Sequence, residues 1–384
     1  MPEFQPVDDQ ERNPAVDVLR GISLLGIFVV NMLFYQSPYL YVDPYEWFQG
    51  GNRAAAEWIQ VLCQSSFYPI FALLFGYGLM VLKERAAERG AAFSRYAQRR
   101  LLVLLFVGMV HAFLIWAGDI LIPYAVFGLM LLPLLKWDGK ILVYAGAVLY
   151  FMPHLLFALY LMVMAVKFPN TALIFADLIS VQDSIRAYAE GSFAEISRQR
   201  WLDWKHVYGS ARILPVFFAV FPLMAAGAGI RKEKWFENRN SSTITWVMAF
   251  VVCLAAGLSI KLLPVMAVPN QAFVYLQQTI GGAVLSGAYI ALVMLVMRFR
   301  FARVLLKPLA KAGKMPLSIY IGQSLAGTFI FYAYGLGLYG KMAVVTGIWL
   351  AITIFLVQVL LAELWLMRFR RGPLEAVVRA LIPT

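Results

Sequence analysis

The chain has 384 residues, of which 61% are hydrophobic and only 14% charged. That balance excludes an ordinary soluble domain and a disordered one, and it places most of the chain in a lipid bilayer. The formal charge of +12 is carried by short segments between apolar runs, so it follows membrane topology and points away from nucleic acid as a partner.

Residues 1–17, "MPEFQPVDDQERNPAVD", form a polar, acidic tail, and the apolar run after them lacks a small-residue cleavage site. The expectation is a cytoplasmic N-terminal tail leading into an uncleaved signal anchor. Apolar runs of about 18 to 25 residues then recur, each long enough to cross a hydrocarbon core of about 30 Å. They predict about ten transmembrane helices, near 18–35, 54–82, 101–117, 120–135, 141–166, 213–230, 243–266, 272–297, 316–334 and 342–366. Residues 18–366 are thus expected to be one transmembrane domain of an all-α polytopic membrane protein.

Three connecting segments are strongly basic. One holds Lys83, Arg85, Arg89, Arg95, Arg99 and Arg100, the next Arg231, Lys232, Lys234 and Arg239, and the third runs from Arg298 to Lys314. All three fall on one side of the predicted topology, together with Lys136, Lys140 and the C-terminal Arg368, Arg370, Arg371 and Arg379. The positive-inside rule therefore puts both termini in the cytoplasm. Such loops attract anionic headgroups, which makes membrane lipids expected partners.

The opposite side carries Asp43, Glu46 and one long extracytoplasmic insertion, 167–211. Pro169 and Asn170 precede an amphipathic pattern of Leu173, Leu178, Ile179 and Ile185. Ser192 with Glu195 has capping-box spacing ahead of Phe193, Ile196, Trp201 and Trp204. Two interfacial helices are predicted. They either rest at headgroup level with their tryptophans as anchors or form a lid over an outward-facing site. Residues 367–384 form a cytoplasmic tail in which Leu374, Val377, Val378 and Leu381 share a stripe, predicting a short helix on the inner leaflet. Gly76, Gly78, Ala225 and Gly229 allow close helix approach.

Cys63 and Cys253 sit in apolar runs, which supports neither a disulfide framework nor a thiolate metal site. No metal-ligand spacing, phosphate-cradling glycine loop, nucleophile elbow or dinucleotide fingerprint is present. What remains is a set of polar groups inside the spans. In "VLRGISLLGIFVVN", Arg20 and Asn31 are eleven residues apart, hence on one helix face and separated by about 16 Å along the axis. Asp17 is one turn before Arg20 and suited to neutralise it. "RRLLVLLFVGMVHAFLIWAGDIL" repeats the spacing between Arg100 and His111, which places His111 near mid-membrane, with Asp119 following at the outer end. Glu57 and Lys261 lie close to outer span ends and are expected to reach water. Gln64, Gln277, Gln278, Ser318, Gln323, Ser324, Gln358 and Glu363 read mainly as interhelical hydrogen-bonding groups.

A buried neutral imidazole is suited to act as a general base, and a neighbouring carboxylate or amide can fix its tautomer. Arginines at an inner mouth suit a phosphorylated donor, because a guanidinium pairs with phosphate in a planar fork.

"DVLRGISLLGIFVVN", "FALLFGYGL", "RRLLVLLFVGMVHAFLIWAGDIL", "GKMPLSIYIGQS", "YGLGLYG" and "GPLEAVVRAL" together resemble the YeiB-like integral membrane proteins, the domain of unknown function numbered 418. That family is grouped by similarity with the transmembrane acyltransferase superfamily. The resemblance implies transfer of an acyl group from cytoplasmic acyl-CoA, as cosubstrate, to an extracytoplasmic acceptor such as a glycan, lipid or small molecule. Acyltransferase relatives carry arginine, ten residues, then histidine in the first helix; the matching positions here are Arg20 and Asn31, so that histidine is replaced. Arg99 and Arg100 resemble the paired arginines near the superfamily's acyl-donor site.

The leading expectation is therefore a membrane acyltransferase in which His111, Asn31 and Asp119 are catalytic and Arg20, Arg99 and Arg100 hold the donor's phosphates, with no metal. A transporter or channel for a small polar or amphipathic solute is the first alternative, and a non-catalytic scaffold the second. A homodimer is compatible with each of them.

Overall fold

The computed structural model describes residues 13–168, 176–210, 212–237, 242–267 and 269–382, and every regular element among them is helical. Residues 1–12 of the tail, together with Pro169, Asn170, Leu173 and Arg239, lie outside the described residues.

The first helix, α1 (Pro14–Gln36), opens where the Asn13 side chain accepts from the Ala15 amide and Pro14 occupies a position that needs no donor. Short α2 (Pro44–Trp47) follows. The predicted span 54–82 is broken in two, α3 (Gly50–Leu62) and α4 (Tyr68–Glu88), because the chain turns at 63–67 with Ser65 at a positive φ of 58°. The run stays apolar through the break, and Pro69 in the first turn of α4 is its one sequence marker.

Helix α5 (Phe93–Val110) continues as a π-turn over His111–Ile115, and α6 (Leu121–Leu131) returns antiparallel, ending in a 3-10 turn over Leu132–Lys136. Long α7 (Gly139–Lys167) leads to the insertion, where α8 (Leu178–Glu190) and α9 (Phe193–Tyr208) form. The predicted capping box between Ser192 and Glu195 is made in both directions. Then come α10 (Ile213–Lys232), α11 (Thr243–Met266) and α12 (Gln271–Leu276), the last joined through a π-turn at Gln277–Gly281 to α13 (Gly282–Val296). Two short helices, α14 (Arg300–Leu305) and α15 (Lys307–Gly313), lead into α16 (Pro316–Phe331), α17 (Val344–Arg368) and α18 (Pro373–Ala380).

Seven helices among the described residues are long and apolar enough to cross a membrane. Beside them, α4 bears charges at its end, and α6 and α16 are shorter. Where the helices face outward they stay apolar: Trp349, Leu356, Leu360 and Leu364 on α17 and Ile244, Met248 and Val252 on α11 are all exposed. A protein in water would bury such stripes, whereas a bilayer solvates them. The chain is a polytopic helical membrane protein.

Glycine sets the closest helix contact. A side chain on Gly76 of α4 would collide with the Met224 carbonyl of α10, and one on Gly227 of α10 would collide with the Leu73 carbonyl of α4. The two backbones touch because both positions lack a Cβ. At the basic end, Gly313 of α15 meets the Asp17 carbonyl of α1 in the same way. There α18 docks through Glu375, which accepts from the amides of Leu317 (2.8 Å) and Ser318 (3.2 Å) at the start of α16. The C-terminal helix is thus fastened to the bundle as well as amphipathic, with Val377 and Leu381 exposed.

Candidate functional site

Helix α5 ends at His111. The π-turn there widens the last coil, and the Trp116 amide closes it by donating to the His111 carbonyl at 2.8 Å. Because α5 begins at Phe93, His111 is the nineteenth residue of a 23-residue helical stretch and sits one turn from its C-terminal end, away from Arg99 and Arg100. The chain then turns through Gly118, which brings Asp119 back over the ring.

His111 and Asp119 are both fully buried, and His111 Nδ1 lies 2.8 Å from Asp119 Oδ1. Asp119 Oδ2 accepts from the Ile122 amide at 2.7 Å, so one carboxylate oxygen is held by the imidazole and the other by the start of α6. A carboxylate only accepts, so this contact puts the ring proton on Nδ1 and leaves Nε2 as an acceptor. At 2.9 Å from Nε2 stands the hydroxyl of Ser324 on α16, also fully buried, and at 2.9 Å from that hydroxyl stands the phenol of Tyr35 on α1. One consistent direction runs through the chain: Tyr35 donates to Ser324, Ser324 to His111, and His111 to Asp119. The Ser324 oxygen also lies 3.3 Å from the Tyr320 carbonyl.

The surroundings fix these groups. The Tyr320 ring lies 5.0 Å from the imidazole, and its hydroxyl bridges the Gly118 carbonyl (3.1 Å) and the Ile120 amide (3.3 Å). Trp116 packs at 4.4 Å on Tyr35 and 6.4 Å on His111. Tyr208 of α9 donates to the Asp119 carbonyl, which ties the insertion directly to the turn that carries the acid. Chemically this is a hydroxyl, an imidazole and a carboxylate in series, the order that activates a nucleophile.

The structure brings together two of the six site residues expected from sequence. Asn31 is half-buried on α1, one turn before Tyr35, and neither ring nitrogen of His111 nor either carboxylate oxygen of Asp119 bonds to it. The α1 side chain that reaches the imidazole chain is Tyr35. Arg20 pairs with Asp17 at 2.8 Å, as their spacing suggests. Arg99 and Arg100 are exposed near the start of α5, on the basic end, with Leu104 and Val107 between Arg100 and His111 on that face. Tyr35 carries no mark in the sequence, and Ser324 read there only as an interhelical hydrogen-bonding group. The signal for Ser324 was its place beside Gln323 in an otherwise apolar run.

Lys261 does not reach water. It is fully buried, and its ammonium donates to the Gln64 carbonyl at 2.6 Å, in the break between α3 and α4. Gln277, at the start of the second π-turn, donates to the Lys261 carbonyl at 2.7 Å and accepts from Tyr45 at 2.7 Å. Among the described residues, no group of three or more His, Cys, Asp or Glu could hold a metal ion.

Fold and site together define a polytopic α-helical membrane protein with a buried serine, histidine and aspartate chain at the end that bears the insertion. The chain belongs to the family described as "Protein of unknown function (DUF418)", whose profile matches residues 230–383. It is 32% identical to the uncharacterized protein YxaH of Bacillus subtilis (strain 168), over 98% of this chain and 95% of that one. It is 27% identical to an uncharacterized 39.9 kDa protein from the amylase 3' region of Bacillus acidopullulyticus (98% and 95% covered). With the uncharacterized protein YeiB of Escherichia coli (strain K12) it shares 29% identity (97% and 96% covered). The profile match includes Ser324 and stops short of His111 and Asp119, which come from the preceding half of the chain.

Proposed function

We infer that the protein is a membrane acyltransferase in which Ser324 is the nucleophile, His111 the general base and Asp119 the group that orients the base. The observation that carries this reading is the unbroken hydrogen-bond series from Ser324 through His111 to Asp119. In the first step the Ser324 oxygen attacks the carbonyl of an acyl thioester such as acyl-CoA, while Nε2 takes the hydroxyl proton. The C–S bond breaks, the thiolate leaves with that proton, and the acyl group stays on Ser324 as an ester. An acceptor hydroxyl or amine then attacks the ester, again giving its proton to Nε2, and Ser324 recovers its own. Tyr35, 2.9 Å from the Ser324 oxygen, donates to it and so turns the serine's own proton toward Nε2.

In this reading the basic end faces the cytoplasm of a bacterial inner membrane, a direction supported by the charge bias of the loops. Arg99 and Arg100 then meet the donor's phosphates, while Arg20 keeps its charge matched by Asp17. The acceptor arrives from the side of the insertion. Because Ser324, His111 and Asp119 are all closed to solvent, entry requires displacement of a covering element, and α9 is the one held at Asp119 by a single tyrosine hydroxyl.

Purified protein in nanodiscs, given acetyl-CoA, tests this by release of free CoA thiol. Release that falls by about a hundred- to ten-thousandfold in His111→Ala is expected, the usual range for loss of a general base. Release equal in the wild type and His111→Ala would exclude the reading.

A specific observation favours one alternative. Lys261 is an ionisable group sealed at a broken helix and flanked by a π-turn, an arrangement that solute pathways use. Solute uptake into proteoliposomes without CoA, abolished by Lys261→Met and unaffected by Ser324→Ala, would favour transport.

A further inference from the structure

Among the described residues, Arg200 of α9 is the bulkiest fully buried side chain, and it makes no ion pair. One of its nitrogens has a structural task. Nη1 donates to the carbonyls of Leu114 (2.8 Å) and Phe113 (3.2 Å), which end the π-turn that starts at His111, and lies 3.5 Å from the Ser197 hydroxyl. The other two do not: Nε and Nη2 are both buried without a hydrogen-bond partner. They are the two nitrogens of the guanidinium's side edge, whose parallel N–H groups match two oxygens of a single oxyanion.

The same helix carries a third unpartnered donor. Trp204, one turn further along α9, has its indole nitrogen buried and unpartnered, and its ring lies 5.4 Å from that of Phe113. A guanidinium keeps its charge at any pH a protein meets, and burying it without a counter-charge is costly unless an anion joins it. The aromatic rings of Phe193 and Tyr334, at 5.1 and 5.9 Å, soften that cost without using the N–H groups. Phe193, Tyr334, Leu114 and Trp201 are themselves exposed, so the donors sit behind an apolar rim.

We propose that Arg200 and Trp204 form a phosphate-binding site, in which Nε and Nη2 grip two phosphate oxygens and the Trp204 indole donates to the same group. The apolar rim suits a phosphate carried by an amphiphile, with its chains lying along Leu114 and Trp201. The site stands on these donors alone and is independent of acyl transfer.

Titration of the full-length protein in detergent with dioctanoyl phosphatidylglycerol, inorganic phosphate and dioctanoylglycerol tests it. The wild type is expected to bind phosphatidylglycerol and not dioctanoylglycerol. Binding of phosphatidylglycerol without inorganic phosphate identifies a lipid headgroup as the source, and binding of inorganic phosphate identifies a soluble one. Arg200→Lys, which keeps the charge and loses the fork, should weaken binding about tenfold or more. Trp204→Phe, which leaves the cap on the π-turn intact, should weaken it severalfold. No binding of either phosphate probe by the wild type, equal binding of dioctanoylglycerol, or unchanged affinity in Trp204→Phe would overturn the proposal.

Discussion

At the scale of single residues, the two ring nitrogens of His111 divide the work. Nδ1 is committed to Asp119, and that commitment leaves Nε2 available to Ser324. Asp119→Asn keeps the shape but offers an amide where the ring proton needs an acceptor, so CoA release should fall steeply while the fold persists. Asp119→Ala goes further. It strips the Ile122 amide and His111 Nδ1 of their partner, at about 1–3 kcal/mol for each buried group, and should lower the melting temperature as well. A variant with normal turnover would remove Asp119 from the mechanism. His111 and Asp119 were legible in the sequence because they are eight residues apart across one tight turn. Ser324 was not, since 213 residues separate it from His111 and nothing in a helix pattern marks which distant serine will face an imidazole. Asn31 was expected in the site from its spacing to Arg20, but the face that α1 turns to His111 is set one turn later, at Tyr35.

Residue-scale electrostatics lie outside the membrane spans too. Asp203 of α9 accepts from Tyr41 and Tyr188, both at 2.6 Å, and from Gln199 at 2.7 Å. Burial nonetheless pushes its carboxyl above the ordinary value of 3.8, against those hydrogen bonds. Asp43 is raised by burial as well, and so is Glu375. A raised carboxyl binds its proton more tightly in the folded protein than in the unfolded one, so stability is greatest below the ordinary value and declines as pH rises through the folded one. These three groups therefore contribute a fall in melting temperature as pH rises from about 4, and Asp203→Asn should remove the part of that slope owed to Asp203. A slope unchanged in Asp203→Asn would assign the dependence to other groups.

At the scale of elements, α4 and α10 form the tightest joint, because Gly76 and Gly227 each lie against the other helix's backbone. Gly76→Ala or Gly227→Ala forces the helices apart, and overpacking of this kind costs about 1–3 kcal/mol. Thermal unfolding in detergent should show it, and a wild-type melting temperature in either variant would mean the joint is looser than the backbone contact implies. Gly76 could be picked out from its small neighbours in sequence, and so could the capping box of α9. The break between α3 and α4 could not, because the run across 54–82 stays apolar and only Pro69 hints at a new helix start. That break also explains Lys261: its place near a helix end suggested water, whereas the turn at 63–67 folds the Gln64 carbonyl onto its ammonium. Arg200 was hidden for a similar reason. Its helix reads as interfacial from its tryptophans, yet Ile196, Arg200, Trp204 and Tyr208 share a stripe that turns inward onto the His111 turn.

At the scale of the whole molecule, exposed apolar stripes on α7, α11 and α17 surround a core that joins α1, α5, α16 and the insertion. The hydrophobic pattern places the long spans in order, because bilayer thickness sets their length, but it merges α3 with α4 and gives about ten spans where seven helices among the described residues are long and apolar enough to cross. Pairing among them depends on glycines and isolated polar groups, which leave little periodic trace. Loop charges predict that reporter fusions at either terminus will report a cytoplasmic location, and that a cysteine placed in α8 will be labelled from the opposite side by an impermeant reagent. Labelling of that cysteine only after membrane disruption would invert the orientation on which the direction of transfer depends.

The central claim is that His111 makes the Ser324 hydroxyl a nucleophile. Mass spectrometry of the protein after brief incubation with acetyl-CoA and an acid quench measures this directly. An acetyl ester on Ser324 in the wild type, absent from His111→Ala, is the predicted result. CoA release that continues undiminished in Ser324→Ala, with no acyl group on Ser324 of the wild type, would contradict it.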